Sequence, residues 1–182
     1  MQLSLLSLQI CFCKSKNINE QGQISYFRGN SSAMTTIKIK RLGIADAIVA
    51  QKLFLTLQEV FGIKEPTTAE EAYVLQLLSN PAFICMAAIN NDKVVGGLTA
   101  YELPMYHASY SECYIYDIGI KTTFQRMGIG RQLIAALKEH CNVNNIKTIF
   151  VEAQEEDAHA IEFYRSTGAN EEQVHHFNYE CK

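Results

Sequence analysis

The sequence has only three prolines, no CxxC pair, no histidines at finger spacing and no excess of basic residues. Three Pro with ten Gly exclude a collagen-like or low-complexity chain. No uncharged apolar run reaches the length of about 18 residues that a spanning helix needs, so no membrane role is expected. Sixteen Lys and Arg against 19 Asp and Glu leave a net charge of −3, which argues against a nucleic-acid binder. The six cysteines stand at 11, 13, 85, 113, 141 and 181 and, apart from the first pair, are widely scattered. They read as reduced thiols of a cytoplasmic protein, and no metal site is expected. Neither a Gly-Lys-Ser/Thr phosphate loop nor GxGxxG occurs, and no internal repeat is visible.

What is present is apolar: 48% of 182 residues, enough for one well-filled domain with a short appendage. The charge is uneven. Residues 1–33 carry Lys14, Lys16 and Arg28 against Glu20, so Met34 to Lys182 carries −5. Met1 to Cys13 is apolar and Ser-rich, but Lys14 follows the run instead of preceding it, unlike a secretory signal. Residues 14–33 are polar and read as a linker. The expected division is an N-terminal extension over 1–33 and one domain over 34–182, with Met34 a candidate translation start.

From there the pattern is regular. Thr36 to Leu42 alternates as a half-buried strand. Asp46 is placed to cap a helix running to Phe61, and Pro66-Thr67-Thr68 starts a second helix ending near Ser79. Phe83–Ile89 and Val94–Leu103 flank the turn signal Asn90-Asn91-Asp92, and Glu112–Ile120 is a third apolar strand. A helix follows with Ile129, Leu133, Ile134 and Leu137 on one face. Lys147–Ala153 reads as a strand, Asp157–Thr167 as a helix closed by Gly168, and Val174–Tyr179 as a last strand. The order β-α-α-β-β-β-α-β-α-β predicts a mixed α+β sheet.

Two stretches carry chemistry. Gln125-Arg126-Met127-Gly128-Ile129-Gly130 joins a strand to a helix N-terminus, whose unpaired N–H groups and partial positive charge suit an anion. Gly128 and Gly130 let the backbone approach closely, and Arg126 and Arg131 add charge at the rim, as in a pyrophosphate cradle. A tight turn with routine glycines would look the same. The second stretch, Ala160-Ile161-Glu162-Phe163-Tyr164-Arg165-Ser166-Thr167-Gly168, puts two aromatics on a short helix after a strand. Taken alone, Tyr164 reads as a packed aromatic.

Together, Q-x-x-G-x-G and A-x-x-F-Y-x-x-x-G resemble the Gcn5-related N-acetyltransferase (GNAT) superfamily. Within it the chain is most similar to type I aminoglycoside 3-N-acetyltransferases, from Met34 to about Tyr179. The shared stretches are Arg41-Leu42-Gly43, Val94-Val95-Gly96-Gly97, Ala100-Tyr101, Leu103-Pro104, Glu112-Cys113-Tyr114-Ile115-Tyr116-Asp117 and His176-Phe177. The resemblance implies a GNAT fold: a central, mostly antiparallel sheet, splayed between its fourth and fifth strands, with about four helices around it.

It also implies roles. Acetyl-CoA would lie in the splay, with backbone groups of Ile118, Gly119 and Ile120 along its pantetheine arm. The turn Gln125, Arg126, Met127, Gly128, Ile129, Gly130 and Arg131 would hold the pyrophosphate, with Ala160 and Tyr164 beside the cofactor. A missing side chain at Gly119 suits close approach. An alkyl ammonium must lose a proton before it attacks a thioester, so a carboxylate is needed. Asp117 is the first candidate and Glu152 the reserve, with the Ile120 N–H near the carbonyl. Tyr164 corresponds to the family's proton donor to the CoA sulfur. Glu112, Tyr116, Asp117, Glu152 and Glu155 would line the acceptor side, suiting a small polycationic amine. Gln154 stands where the resemblance implies an Asp, and Glu155 could substitute. His175-His176 reads as an edge-strand pair, with a cleft or dimer contact as the alternative. Type I relatives commonly dimerise, so a homodimer is an expectation.

The favoured activity is acetyl transfer from acetyl-CoA to the 3-amino group of an aminoglycoside, an antibiotic-resistance function. Acetylation of a polyamine, metabolite or peptide terminus, or a non-catalytic CoA sensor, are the alternatives.

Overall fold

The computed structural model describes residues 36–181. The expected extension over 1–33, with Cys11, Cys13 and the candidate start Met34, lies outside the described residues.

The elements are β1 (Ile37–Arg41), α1 (Ala47–Val60), α2 (Glu71–Ser79), β2 (Phe83–Asn90), β3 (Lys93–Pro104), β4 (Ser111–Ile120), α3 (Ile129–Val143), β5 (Ile146–Phe150) and α4 (Ala158–Ser166). The five strands form one sheet in sequence order. The first four pair antiparallel and β5 joins β4 in parallel. This is the mixed, mostly antiparallel sheet with four helices that the resemblance implied.

Helices cover both faces. Phe83, Cys85 and Ala87 of β2 meet Leu53 and Leu57 of α1 and Val74 of α2. Ile84, Met86 and Ala88 of the same strand share the other core with Leu133 and Leu137 of α3 and Tyr164 of α4. A strand buried on both faces needs the unbroken apolar run that β2 shows. β2 and β3 are joined at Asn91 and Asp92, which both take positive φ, as a tight two-residue hairpin turn requires.

Three local readings change. Asp46 does not cap α1: its carboxylate accepts from Gly43 N and Lys40 Nζ, closing a 3-10 turn that precedes the helix. α2 starts at Glu71, not near Pro66, because Gln58 of α1 binds both backbone groups of Thr67 at 2.9 Å and keeps it out of the helix. The strand expected over Val174–Tyr179 does not form, and residues 169–181 are exposed without regular structure. Val174, Phe177 and Tyr179 all stay exposed there, so this stretch adds nothing to the core.

Cys85, Cys113, Cys141 and Cys181 are free thiols. No described helix is long and apolar enough to cross a membrane.

Candidate active site

The site begins with a defect in a strand ladder. Thr99 of β3 opposes Asp117, but Ala100 opposes Ile115, so Tyr116 is an extra residue in β4. The bulge changes the alternation. Cys113 and Ile115 face the α3 core, and after the bulge Ile118 and Ile120 face it. Under strict alternation Asp117 would follow Cys113 and Ile115 into that core. Instead it turns to the α1 side, where the Thr99 hydroxyl donates to its Oδ2 at 3.4 Å.

The same region opens the sheet. β5 pairs with β4 only from Ser111 to Tyr114 and ends at Phe150. From Ile115 to Ile120, β4 keeps β3 as its ladder partner while its other edge stays open. This is the splay that the resemblance implied between the fourth and fifth strands, and it explains why β5 stops before Ala153.

On the α1 side of the splay the rings of Tyr101, Tyr116, Tyr114 and Phe150 follow one another at centroid spacings of 6.0, 6.2 and 5.2 Å. Tyr116 is 50% exposed and Phe150 38%, so the row forms a floor open to solvent. Glu112 alternates onto this face with Tyr114. Glu152, just beyond β5, accepts a hydrogen bond from the Tyr114 phenol. Burial raises the Asp117 carboxyl to about 6, although the Thr99 hydrogen bond opposes the shift. That value suits a base working near neutral pH. Glu155 sits apart, exposed in the turn before α4.

On the other side stands Tyr164. It is 7% exposed, in the α3 core, and its hydroxyl is buried with no hydrogen-bond partner. Burial, then the Asp157 and Asp117 charges, raise its pKa further above the phenol range. A buried hydroxyl without a partner is uncommon, because desolvation is then uncompensated. A sulfur or oxygen atom of a cofactor in the splay would supply its partner.

The turn before α3 is built as expected in backbone and differently in side chains. Arg126 and Gly128 take φ of +62 and +79. The first-turn N–H groups of α3 have no intrahelical acceptor, as at any helix start. They border a cavity of about 290 Å³ lined by this turn and by α4. Gln125 is a brace: its Nε2 donates to the Ile120 carbonyl at 3.0 Å. Arg131 Nη1 donates to Ser166 O at 2.8 Å, so this guanidinium ties α3 to the end of α4 while it lines the cavity. A Cβ on Gly130 would lie 2.9 Å from the Phe163 ring, so this glycine is needed for helix packing. A Cβ on Gly119 would meet Leu57 and Val60 of α1 at 3.1 Å each, so its bare backbone makes room for a helix. Met127 is 48% exposed at the rim. Ala160 is buried, and its N–H is bound by the Asp157 carboxylate at 3.0 Å.

Sequence reading missed the α4 wall of the cavity. His159, Glu162, Phe163 and Ser166 line it together. Their spacing is i, i+3, i+4, i+7, one helical stripe, which was available as a signal. For His176 the sequence favours an edge strand, with a cleft contact as the alternative; its Nδ1 lies 3.0 Å from Glu152 Oε2. Its partner Glu152 is not marked by any pattern, because the segment reads as a strand.

A splayed edge, an amide-lined cavity and an unpartnered buried phenol fit a thioester cofactor carrying a pyrophosphate. The comparisons agree. An aminoglycoside acetyltransferase from an uncultured soil metagenomic sample, solved with sisomicin, is 35% identical, with a TM-score of 0.77 over 80% of this chain and 97% of that one. A second aminoglycoside acetyltransferase from an uncultured soil metagenomic sample is 33% identical, with a TM-score of 0.77 over 81% and 99%. The [ribosomal protein bS18]-alanine N-acetyltransferase of Salmonella typhimurium is 33% identical over 60 residues, which span 33% of this chain and 40% of that protein. The Acetyltransferase (GNAT) family model matches residues 50–169, and the chain belongs to that family.

Proposed function

We propose that the chain transfers an acetyl group from acetyl-CoA to an aminoglycoside, at its 3-amino group, by direct attack in a ternary complex. The observation that carries this is Asp117: a half-buried carboxyl raised to about 6, turned out of the core by a bulge, beside an aromatic and acidic floor. The likeness to aminoglycoside acetyltransferases over most of both chains supports it.

Acetyl-CoA supplies the activated acyl group as a thioester. The open edge of Ile118, Gly119 and Ile120 would hold its arm, and the amides of residues 127–131, with Arg126, its pyrophosphate. Asp117 accepts the proton of the acceptor ammonium, which at neutral pH is almost fully charged. The Tyr164 hydroxyl donates a hydrogen bond to developing negative charge. A phenol raised above its ordinary range is too weak an acid to give its proton fully to a thiolate whose acid lies near ~8.5. Glu112, Glu152 and the tyrosine rings orient the remaining ammonium groups, the rings through their π-faces.

Acetylation of a peptide N-terminus is the second reading, supported by the partial match to the ribosomal-protein enzyme. CoA release with gentamicin, kanamycin, spermidine and an alanine-terminated peptide separates the readings. Release with an aminoglycoside, and a product acetylated on the 3-amino nitrogen by NMR, is expected. Release with the peptide or spermidine alone would overturn the proposal.

A further inference from the structure

The segment after α4 reaches back to the acceptor floor. His176 Nδ1 lies 3.0 Å from Glu152 Oε2, and His176 Nε2 lies 2.9 Å from Asn178 Oδ1. A neutral imidazole carries one N–H and an imidazolium two. An imidazolium donates to both oxygens at once, a neutral ring to only one of them. The Asn178 and Glu152 hydrogen bonds raise its pKa above the ordinary value, despite its exposure. The ionisable groups facing it are Glu152, from the stretch after β5, and through that carboxylate the Tyr114 phenol of β4. Asp117 acts on Tyr114 in turn. Glu152 thus holds a cation of the protein's own where an acceptor ammonium would sit.

We propose that His176 is a specificity-determining residue for the acceptor: its imidazolium occupies Glu152 in the resting cleft, and an ammonium of the incoming amine takes its place. The inference rests on the reading of this cleft as an amine-acceptor site. Exchange of one cation for another favours an acceptor that keeps further ammonium groups on the floor. It weakens binding of a monoamine, which has no second charge to hold it during exchange. Below its pKa His176 competes with the acceptor; above it, Glu152 is released.

The test compares acceptor KM in the wild type, His176→Gln and His176→Lys from about pH 6 to about pH 8.5. Comparison with the variants removes the titration of Asp117 and of the acceptor, which all three share. His176→Gln is expected to lower acceptor KM by about two- to five-fold at the acid end, the scale of an exposed ion pair, with the difference vanishing at the alkaline end. His176→Lys should keep the high KM throughout, and the KM for acetyl-CoA should not follow either change. Parallel profiles for wild type and His176→Gln would overturn the proposal. NMR titration of the His176 ring in the full chain gives a readout independent of turnover: Glu152→Gln should lower its pKa, and an unchanged titration would also overturn it. If no aminoglycoside is acetylated but Glu152→Gln shifts His176, the aminoglycoside reading fails and the ion-pair inference stands.

Discussion

Asp117 and Tyr164 approach the splay from opposite sides of the sheet, and burial acts on both in the same direction. Each is pushed toward its neutral form. For Asp117 the folded carboxyl, at about 6, binds a proton more tightly than the unfolded one at 3.8. Stability is therefore present below the unfolded value and is lost as pH rises through about 6. Asp117→Asn removes that penalty. It should raise stability at neutral pH by about 1–2 kcal/mol, read as a higher Tm, because a carboxylate is no longer held in a desolvated site. It should also lower kcat/KM by about 10²-fold or more and abolish an acid limb near pH 6. A variant that retains the acid limb would show that another group is the base. Tyr164→Phe removes a hydroxyl that has no partner in the protein, so the fold should lose no stability. Turnover should fall by about 10- to 100-fold while CoA affinity, measured by calorimetry, changes little.

Among the elements, α3 and α4 are tied into one unit around the cavity. Arg131 and Lys138 of α3 both donate to carbonyls at the end of α4, at Ser166 and Thr167. Gly130 lets the Phe163 ring lie against the helix start. Gly130→Ala should therefore cost about 1–3 kcal/mol by overpacking and raise the KM for acetyl-CoA more than that for the acceptor. Adding Phe163→Leu, which clears the ring atoms, should restore part of both. If Gly130→Ala changes neither, the glycine serves only the turn. At this scale the existence of β1 to β5 was legible, while strand ends and the absence of a strand over 174–179 were not. β2, β3 and β4 follow from their apolar runs and the Asn-Asn-Asp turn. β5 is shortened to Phe150 because its partner pairs only as far as Tyr114. The strand expected over Val174–Tyr179 does not form, and its apolar residues stay exposed.

At the scale of the molecule, charge and topology divide the work. The acidic residues Glu112, Asp117 and Glu152 lie on the tyrosine-lined side of the splay, which we propose receives the acceptor, while Arg126 and Arg131 line the cavity next to α4. A polycation approaching the acidic side is steered by a field that salt screens over about 10 Å at 0.1 M. Acceptor kcat/KM is expected to fall several-fold between roughly 0.05 and 0.5 M salt, more steeply for a polyamine than for a monoamine. Equal slopes for the two would mean that the acidic floor does not act as a field.

The order of the elements, the apolar faces of β2 and α3, the glycine turn at 125–130 and the Tyr164 motif were readable from the chain, because each is encoded by residues close in sequence. The aim of Asp117 toward the splay was implied by the resemblance, not by local pattern. Alternation along Cys113, Ile115 and Asp117 points it into the core, and only the pairing of β4 with β3, through the extra residue Tyr116, turns it outward. The roles of Gly119 and Gly130 were likewise decided by helices that pack against them from elsewhere in the chain. His176 met Glu152 only through the path of a segment that forms no strand. Local patterns determine which elements exist, because propensity and periodicity act over a few residues. Which side chain faces the splay is decided by register and packing, which act between residues far apart in sequence.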